Sequence, residues 1–150
     1  MKPPTIRVAT AEDIDAIASL TRAAYAKWTP VIGREPLPMK ADYREAFKVH
    51  CFHLLLADEE VAALIETVAC ADSLLIENVA VLPAFQKRGY GRALLAHAER
   101  LAAEAGLPSV RLYTNARFEE NVRLYASLGY EFEREEPLNG GVAVHMRKRL

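Results

Sequence analysis

The segment Val79 to Arg92, Val-Ala-Val-Leu-Pro-Ala-Phe-Gln-Lys-Arg-Gly-Tyr-Gly-Arg, gathers in one turn the residue types that a bound anion requires. An apolar strand ends near Val81, Pro83 interrupts it, and apolar residues recur at helical spacing from Gly91 onward. A helix N-terminus presents backbone N–H groups without intrahelical partners and carries partial positive charge, so it suits a phosphate. Gly89 and Gly91, on either side of Tyr90, let the main chain approach that anion closely, and Lys87, Arg88 and Arg92 add side-chain charge on the same turn. The ligand these residues predict carries phosphate. Two common phosphate loops are excluded: Gly91 is followed by Arg92 and Ala93 rather than by Lys and Ser or Thr, and Leu94 stands where a dinucleotide fingerprint needs its third glycine.

Gln86, Gly89 and Gly91, with two residues and then one between them, resemble the pyrophosphate motif of the GNAT superfamily of N-acetyltransferases. The run Leu124-Tyr-Ala-Ser-Leu-Gly-Tyr130 resembles that family's "LY..LGF" signature. The plain alternative, a tight turn into a surface helix, explains a lone GxG but not the strand before it, the helix after it and the later signature together. The resemblance covers essentially the whole chain. It implies an α/β fold in a single domain, 1–150, that takes acetyl-CoA as co-substrate, needs no metal, and passes acetyl to a primary amine by direct attack in a ternary complex.

Further expectations follow from that resemblance. The fourth and fifth strands splay, and the pantetheine arm lies in the gap against backbone at Val79, Ala80 and Val81, where a freed N–H polarises the thioester carbonyl and holds the oxyanion. Tyr125 matches the tyrosine that protonates the departing thiolate; a packed core aromatic is its alternative. Glu77 sits where many family members carry an acidic residue. Strand alternation puts it on the face of Val79 and Val81, so it is a candidate base, directly or through water; an ion-paired or solvent-facing glutamate is the alternative. Tyr113 on the next strand is a second candidate, as a group that positions water. One departure stands out: the family's pantetheine-binding asparagine corresponds to Phe118, and Asn121, on the same helical face as Tyr125, is its expected substitute. Asn115 is a weaker candidate that equally well caps a turn. Arg34, Glu35 and Tyr43 fall where such folds border the acceptor.

Other residues and the bulk composition bound the function. His50, His53, His97 and His145 share no metal-ligand spacing and have no evident Ser or Cys partner, so no chemistry is assigned to them. Cys51 and Cys70, each in an apolar run without CxxC spacing, are expected to be small buried hydrophobes. Nineteen basic against twenty acidic side chains leave a net charge of −1, which argues against nucleic acid and anionic lipid as partners. No stretch approaches the roughly 20 apolar residues of a membrane span, and no apolar leader follows Met1, so a cytoplasmic location is expected. A homodimer is compatible with the resemblance. A non-catalytic CoA-binding module and an unrelated phosphate-binding module are the competing function classes; Tyr125 argues for catalysis.

The elements that must position these residues follow from periodicity. Thr5–Ala9 alternates as a strand, and Thr10 with Asp13 caps a helix carrying Ile14, Ile17, Thr21 and Ala24. Pro30, Gly33, Pro36 and Pro38 predict an exposed connection from Trp28 to Pro38, and a second helix follows from about Lys40 to His50. Phe52–Ala57, Val61–Cys70 and Leu74–Val81 form an antiparallel meander. Gly91–Ala105 is a helix, Val110–Thr114 a buried strand, Phe118–Leu128 a helix, and Tyr130–Glu133 a strand. Asn139-Gly140-Gly141 then turns the chain into the alternating run that begins at Val142. The predicted order is β-α-α-β-β-β-α-β-α-β-β, a mixed sheet of about seven strands flanked by about four helices.

Overall fold

The computed structural model describes residues 3–138 and 140–150. Among them seven strands form one sheet: β1 (Thr5–Val8), β2 (Cys51–Ala57), β3 (Glu60–Ala69), β4 (Leu74–Val81), β5 (Ser109–Asn115), β6 (Glu131–Leu138) and β7 (Gly141–Arg149). Their spatial order is β1-β2-β3-β4-β5-β7-β6, and every neighbouring pair is antiparallel except β4 and β5. That parallel pair spans only Leu74↔Val110, Leu75↔Arg111 and Ile76↔Leu112. Beyond it β5 stays with β7 as far as Asn115, while β4 runs on to Val81 beside β3 alone, so the predicted splay is present.

Helices cover both faces of the sheet. α1 (Ile14–Tyr25) and α4 (Tyr43–Val49) bury Ile17, Leu20 and Tyr43 against Phe52, Leu54, Leu64 and Ala80. On the other face α5 (Tyr90–Glu104) drives Leu94, Leu95, Ala98 and Ala102 onto Ile65, Ile76, Val110 and Leu112. The flank of α6 (Glu119–Ser127) closes the same cluster with Val122 and Tyr125. The start of α1 is held as the sequence predicts: the Thr10 N–H donates to Asp13 Oδ2 at 2.8 Å. Arg7 grips the same carboxylate and holds its pKa down at about 2.

Four expectations need correction. The connection from Trp28 to Pro38 contains two one-turn helices, α2 (Thr29–Ile32) and α3 (Leu37–Lys40), and Ile32 is buried. Pro30 and Pro38 lie in the first turns of these helices, where no amide donor is missed and a fixed φ is favourable. The helix expected from Lys40 begins at Tyr43, because Asp42 caps it by accepting from the Arg44 and Glu45 amides. β6 extends to Leu138 rather than stopping at Glu133. It lies at the sheet edge, which tolerates both its charges and Pro137. Finally, Cys51 is exposed and Cys70 half-exposed, since they stand at the first residue of β2 and just past the end of β3 rather than inside the apolar runs. No helix is long and apolar enough to cross a membrane.

Leu94 is fully buried where α5 packs on the sheet. Leu94→Ala is expected to lower unfolding free energy by about 2–5 kcal/mol in a denaturant titration. Arg123→Ala removes an exposed pair with Glu119 spanning 4.0 Å and should change it by less than about 0.5 kcal/mol.

Candidate functional site

Between Pro83 and Tyr90 the chain makes a single 3-10 turn (Pro83–Phe85) and then two left-handed residues, Lys87 (φ 65°) and Gly89 (φ 82°). The first helical bond of α5 runs from the Ala93 amide to the Gly89 carbonyl, so the amides of Tyr90, Gly91 and Arg92 have no intrahelical acceptor. Gln86, Lys87, Gly89, Tyr90, Gly91 and Arg92 all line a cleft of about 280 Å³. Arg88 does not line it; its guanidinium lies 5.3 Å from the centre of the Phe85 ring. A Cβ at Gly91 would meet only Val81 Cγ2, at 3.9 Å, so packing within the protein does not demand glycine there. Open space on that side is what close approach of a ligand to the backbone requires.

The opposite wall of the cleft is the unpaired end of β4. The Leu82 amide donates to Ala62 on β3, so strand alternation turns Ala80 and Asn78 toward β3 and leaves the peptide groups of Val79 and Val81 facing the gap. Two of these groups are engaged by side chains. The Tyr25 hydroxyl donates to the Val79 carbonyl at 3.3 Å, and Gln86 Nε2 donates to the Val81 carbonyl at 3.1 Å. The amides remain available. Ala80 lines the cleft, but its own amide is directed away, which corrects the expectation of a freed N–H there.

α6 supplies the third wall through Asn121, Leu124 and Tyr125. The Tyr125 ring meets Tyr130 edge-on at 6.2 Å, and its hydroxyl has no protein partner among the described residues. Burial pushes its pKa up to about 12, so the phenol is protonated throughout the neutral range. Asn121 is therefore beside Tyr125, as expected. Phe118 is buried and stacks on Trp28 at 4.4 Å.

A second cavity of about 240 Å³ lies on the sheet face covered by α1–α4, and Tyr25 lines both hollows. Here Glu77 departs from expectation. Glu66 pairs with Asn78 while Thr67 pairs with Ile76, so Glu77 is an extra residue in a β-bulge. The bulge shifts the alternation by one: Ile76, Val79 and Val81 face α5, whereas Glu77 and Asn78 line the second cavity. Glu77 Oε2 accepts the Tyr113 hydroxyl at 2.8 Å, and burial with the Glu77 charge raises the Tyr113 pKa. Glu66 binds His50 on the same wall; burial pushes its carboxyl up, against the pull of His50. Arg34 and Tyr43 also line this cavity, whereas Glu35 points outward to Arg22. Asn115 Oδ1 accepts the Arg117 amide, the capping role that was its alternative.

Tyr25, Lys27, Trp28, Asn78 and Glu66 were missed in the sequence. Tyr25 ends α1 in a helical pattern indistinguishable from core packing, yet its hydroxyl donates to Asn78 Oδ1 at 2.7 Å and stands between the two hollows. His50 and His145 have carboxylate partners, Glu66 and Glu136, while His53 and His97 pack edge-on and burial lowers both their pKa values. Among the described residues no group of three or more His, Cys, Asp or Glu is placed to hold a metal ion.

The acetyltransferase (GNAT) family model matches residues 16–130. The curated [ribosomal protein bS18]-alanine N-acetyltransferase of Salmonella typhimurium is 37% identical over 76 residues, 51% of this chain and 51% of that protein, so the match spans about half the relative's length. Among solved structures, the PaiA N-acetyltransferase of Thermoplasma acidophilum in complex with coenzyme A superposes with a TM-score of 0.79 at 20% identity, covering 99% of this chain and 100% of that one. The ribosomal-protein-S18-alanine N-acetyltransferase of Escherichia coli gives 0.80 at 23% identity over 98% and 94%. Both share the fold.

The two glycines of the turn should respond differently to a methyl group. Gly89→Ala forces a side chain into the left-handed region and should cost about 1–2 kcal/mol of stability. Gly91→Ala sits at a helical position with room for Cβ and should leave the thermal midpoint unchanged or slightly raised. Equal losses for both would show that the loop is shaped by internal packing instead.

Proposed function

The chain belongs to the acetyltransferase (GNAT) family, and from that premise we propose that it acts as one domain, 1–150, moving acetyl from acetyl-CoA to a primary amine held in the second cavity. The observation that carries this is the meeting of two features in one cleft: uncommitted amides at the start of α5 and uncommitted amides on the parted end of β4. The first set suits a diphosphate, with Lys87 and Arg92 adding charge. The second suits an extended arm that pairs like a strand and ends in a carbonyl needing polarisation. Asn121 reaches the same arm from α6.

The steps follow from which groups face which hollow. The amine attacks the thioester carbon with its lone pair, so it must first shed a proton. Glu77 faces the amine side because of the bulge and, with Oε2 satisfied by Tyr113, keeps Oε1 to accept that proton, directly or through a water that Tyr113 orders. An amide of Val79 or Val81 holds the developing oxyanion. The C–S bond then breaks, Tyr125 donates its proton to the thiolate, and the nitrogen releases its second proton to solvent, from which Tyr125 recovers one. The curated relative's acceptor, an alanine of ribosomal protein bS18, is an amine of the required type.

Acetyl-CoA titration calorimetry, followed by thiol release over a broad amine and peptide panel, tests the proposal. Micromolar binding and turnover of some acceptor are expected. Tyr125→Phe should lower kcat at least tenfold with acetyl-CoA affinity kept, and Gly91→Ala should weaken acetyl-CoA binding at least tenfold while the protein stays folded. Because burial holds the Tyr125 pKa at about 12, its ionisation should cause no rate loss below about pH 11. Binding without turnover across the panel would favour a non-catalytic CoA-binding module, and absence of binding would overturn the proposal.

A further inference from the structure

The second cavity carries opposite charges at its two ends. Glu66 and Glu77 mark one end, on β3 and β4, and Arg34 marks the other, beside the β6–β7 hairpin. Arg34 Nη1 donates to the Ile32 carbonyl at 3.1 Å. Its Nε is shielded from solvent and has no partner among the described residues, and no carboxylate among them pairs with the guanidinium. Nη2 has no protein acceptor among the described residues and is the nitrogen left to bond a carboxylate with charge assistance. Asn115 adds a donor there: its Oδ1 is spent on the Arg117 amide, and its Nδ2 shares with Arg34 Nη2 the space above Gly141, where a Cβ would come within 3.4 Å and 2.6 Å of them.

Resting on the acetyltransferase reading above, we infer that the acceptor is a small zwitterionic amine, a free amino acid or close analogue, whose carboxylate binds Arg34 and Asn115 while its amine faces Glu77. The spacing supports this. Asn115 and Tyr113 share a face of β5 two residues apart, roughly 7 Å, and Tyr113 bonds Glu77, so one short molecule spans from the donors to the base. A cavity of about 240 Å³ has room for a molecule the size of an amino acid. Leu37, Phe118, Leu138 and Val142 give it an apolar stretch of wall that suits an apolar side chain. A peptide N-terminus offers a neutral amide where the guanidinium waits, and a polyamine brings a second cation against it; both leave the guanidinium without a counter-charge.

The test uses the purified full chain with acetyl-CoA and matched acceptors: apolar L-amino acids, their carboxamides, the corresponding amines without a carboxyl group, and short peptides. The free acids should exceed their carboxamides and decarboxylated amines in kcat/KM by at least thirtyfold. Arg34→Met should raise KM for the acids at least tenfold with kcat changed less than threefold, leave the carboxamides unaffected, and keep wild-type affinity for acetyl-CoA, which reports that the variant is folded. Arg34→Lys should recover part of the lost affinity, and Gly141→Ala, which displaces the guanidinium, should reproduce the KM increase. Carboxamides or peptides used as well as the acids, an unchanged KM in Arg34→Met, or a silent panel from a protein that binds acetyl-CoA would each overturn the inference while leaving acetyl-CoA binding intact. Failure to bind acetyl-CoA would overturn the acetyltransferase reading itself, and this inference with it.

Discussion

A parallel strand pair that ends after three residues leaves one strand to find other partners for its peptide groups, and the site is organised around how β4 meets that demand. The carbonyls of Val79 and Val81 are taken by Tyr25 from α1 and Gln86 from the loop before α5. Their amides have no such substitute. They face the cleft beside the start of α5, where an extended ligand can pair with them as a strand would. The same Gln86 bond ties the loop before α5 to the strand, so the two parts of the cleft keep a fixed relation.

The wall between the hollows is equally thin and equally determined. The single Tyr25 hydroxyl proton is directed to Asn78 Oδ1 with the Val79 carbonyl as a longer second acceptor, and the bulge at Glu77 sends one acidic residue away from the α5 face into the second cavity. Without the bulge, Glu77 would point at the apolar cluster under α5, where an unpaired carboxylate is costly. With it, Glu77 has Tyr113 as a donor and Glu66 as a neighbour, and the carboxylates of the second cavity stay apart from the uncommitted amides at the start of α5.

Much of this was legible in the residues. The strand-turn-helix from Leu74 to Glu104, the two-glycine turn and the tyrosine signature on α6 are local patterns whose physics is written in sequence, and the order of the main elements followed from periodicity alone. The bulge was not legible, because Leu74–Val81 reads in its letters as one apolar run broken by Glu77-Asn78, and only the pairing with β3 reveals the extra residue. Prolines misled in the same way. Pro30 and Pro38 read as breakers, whereas in the first turn of a helix they cost nothing. Tyr25, His50 and Glu66 come from three separate elements, and only the folded sheet brings them to the two hollows.

The claim beneath all of this is that the amides from Lys87 to Arg92, together with those of Val79 and Val81, are the groups that hold coenzyme A. Amide chemical shifts followed by 1H–15N NMR during titration with CoA address it directly. The account predicts that the largest changes fall on those amides, with loss of the 87–92 response when inorganic pyrophosphate competes for the loop. Saturation by CoA with these amides unmoved, and the shifts gathered elsewhere on the sheet, would contradict it.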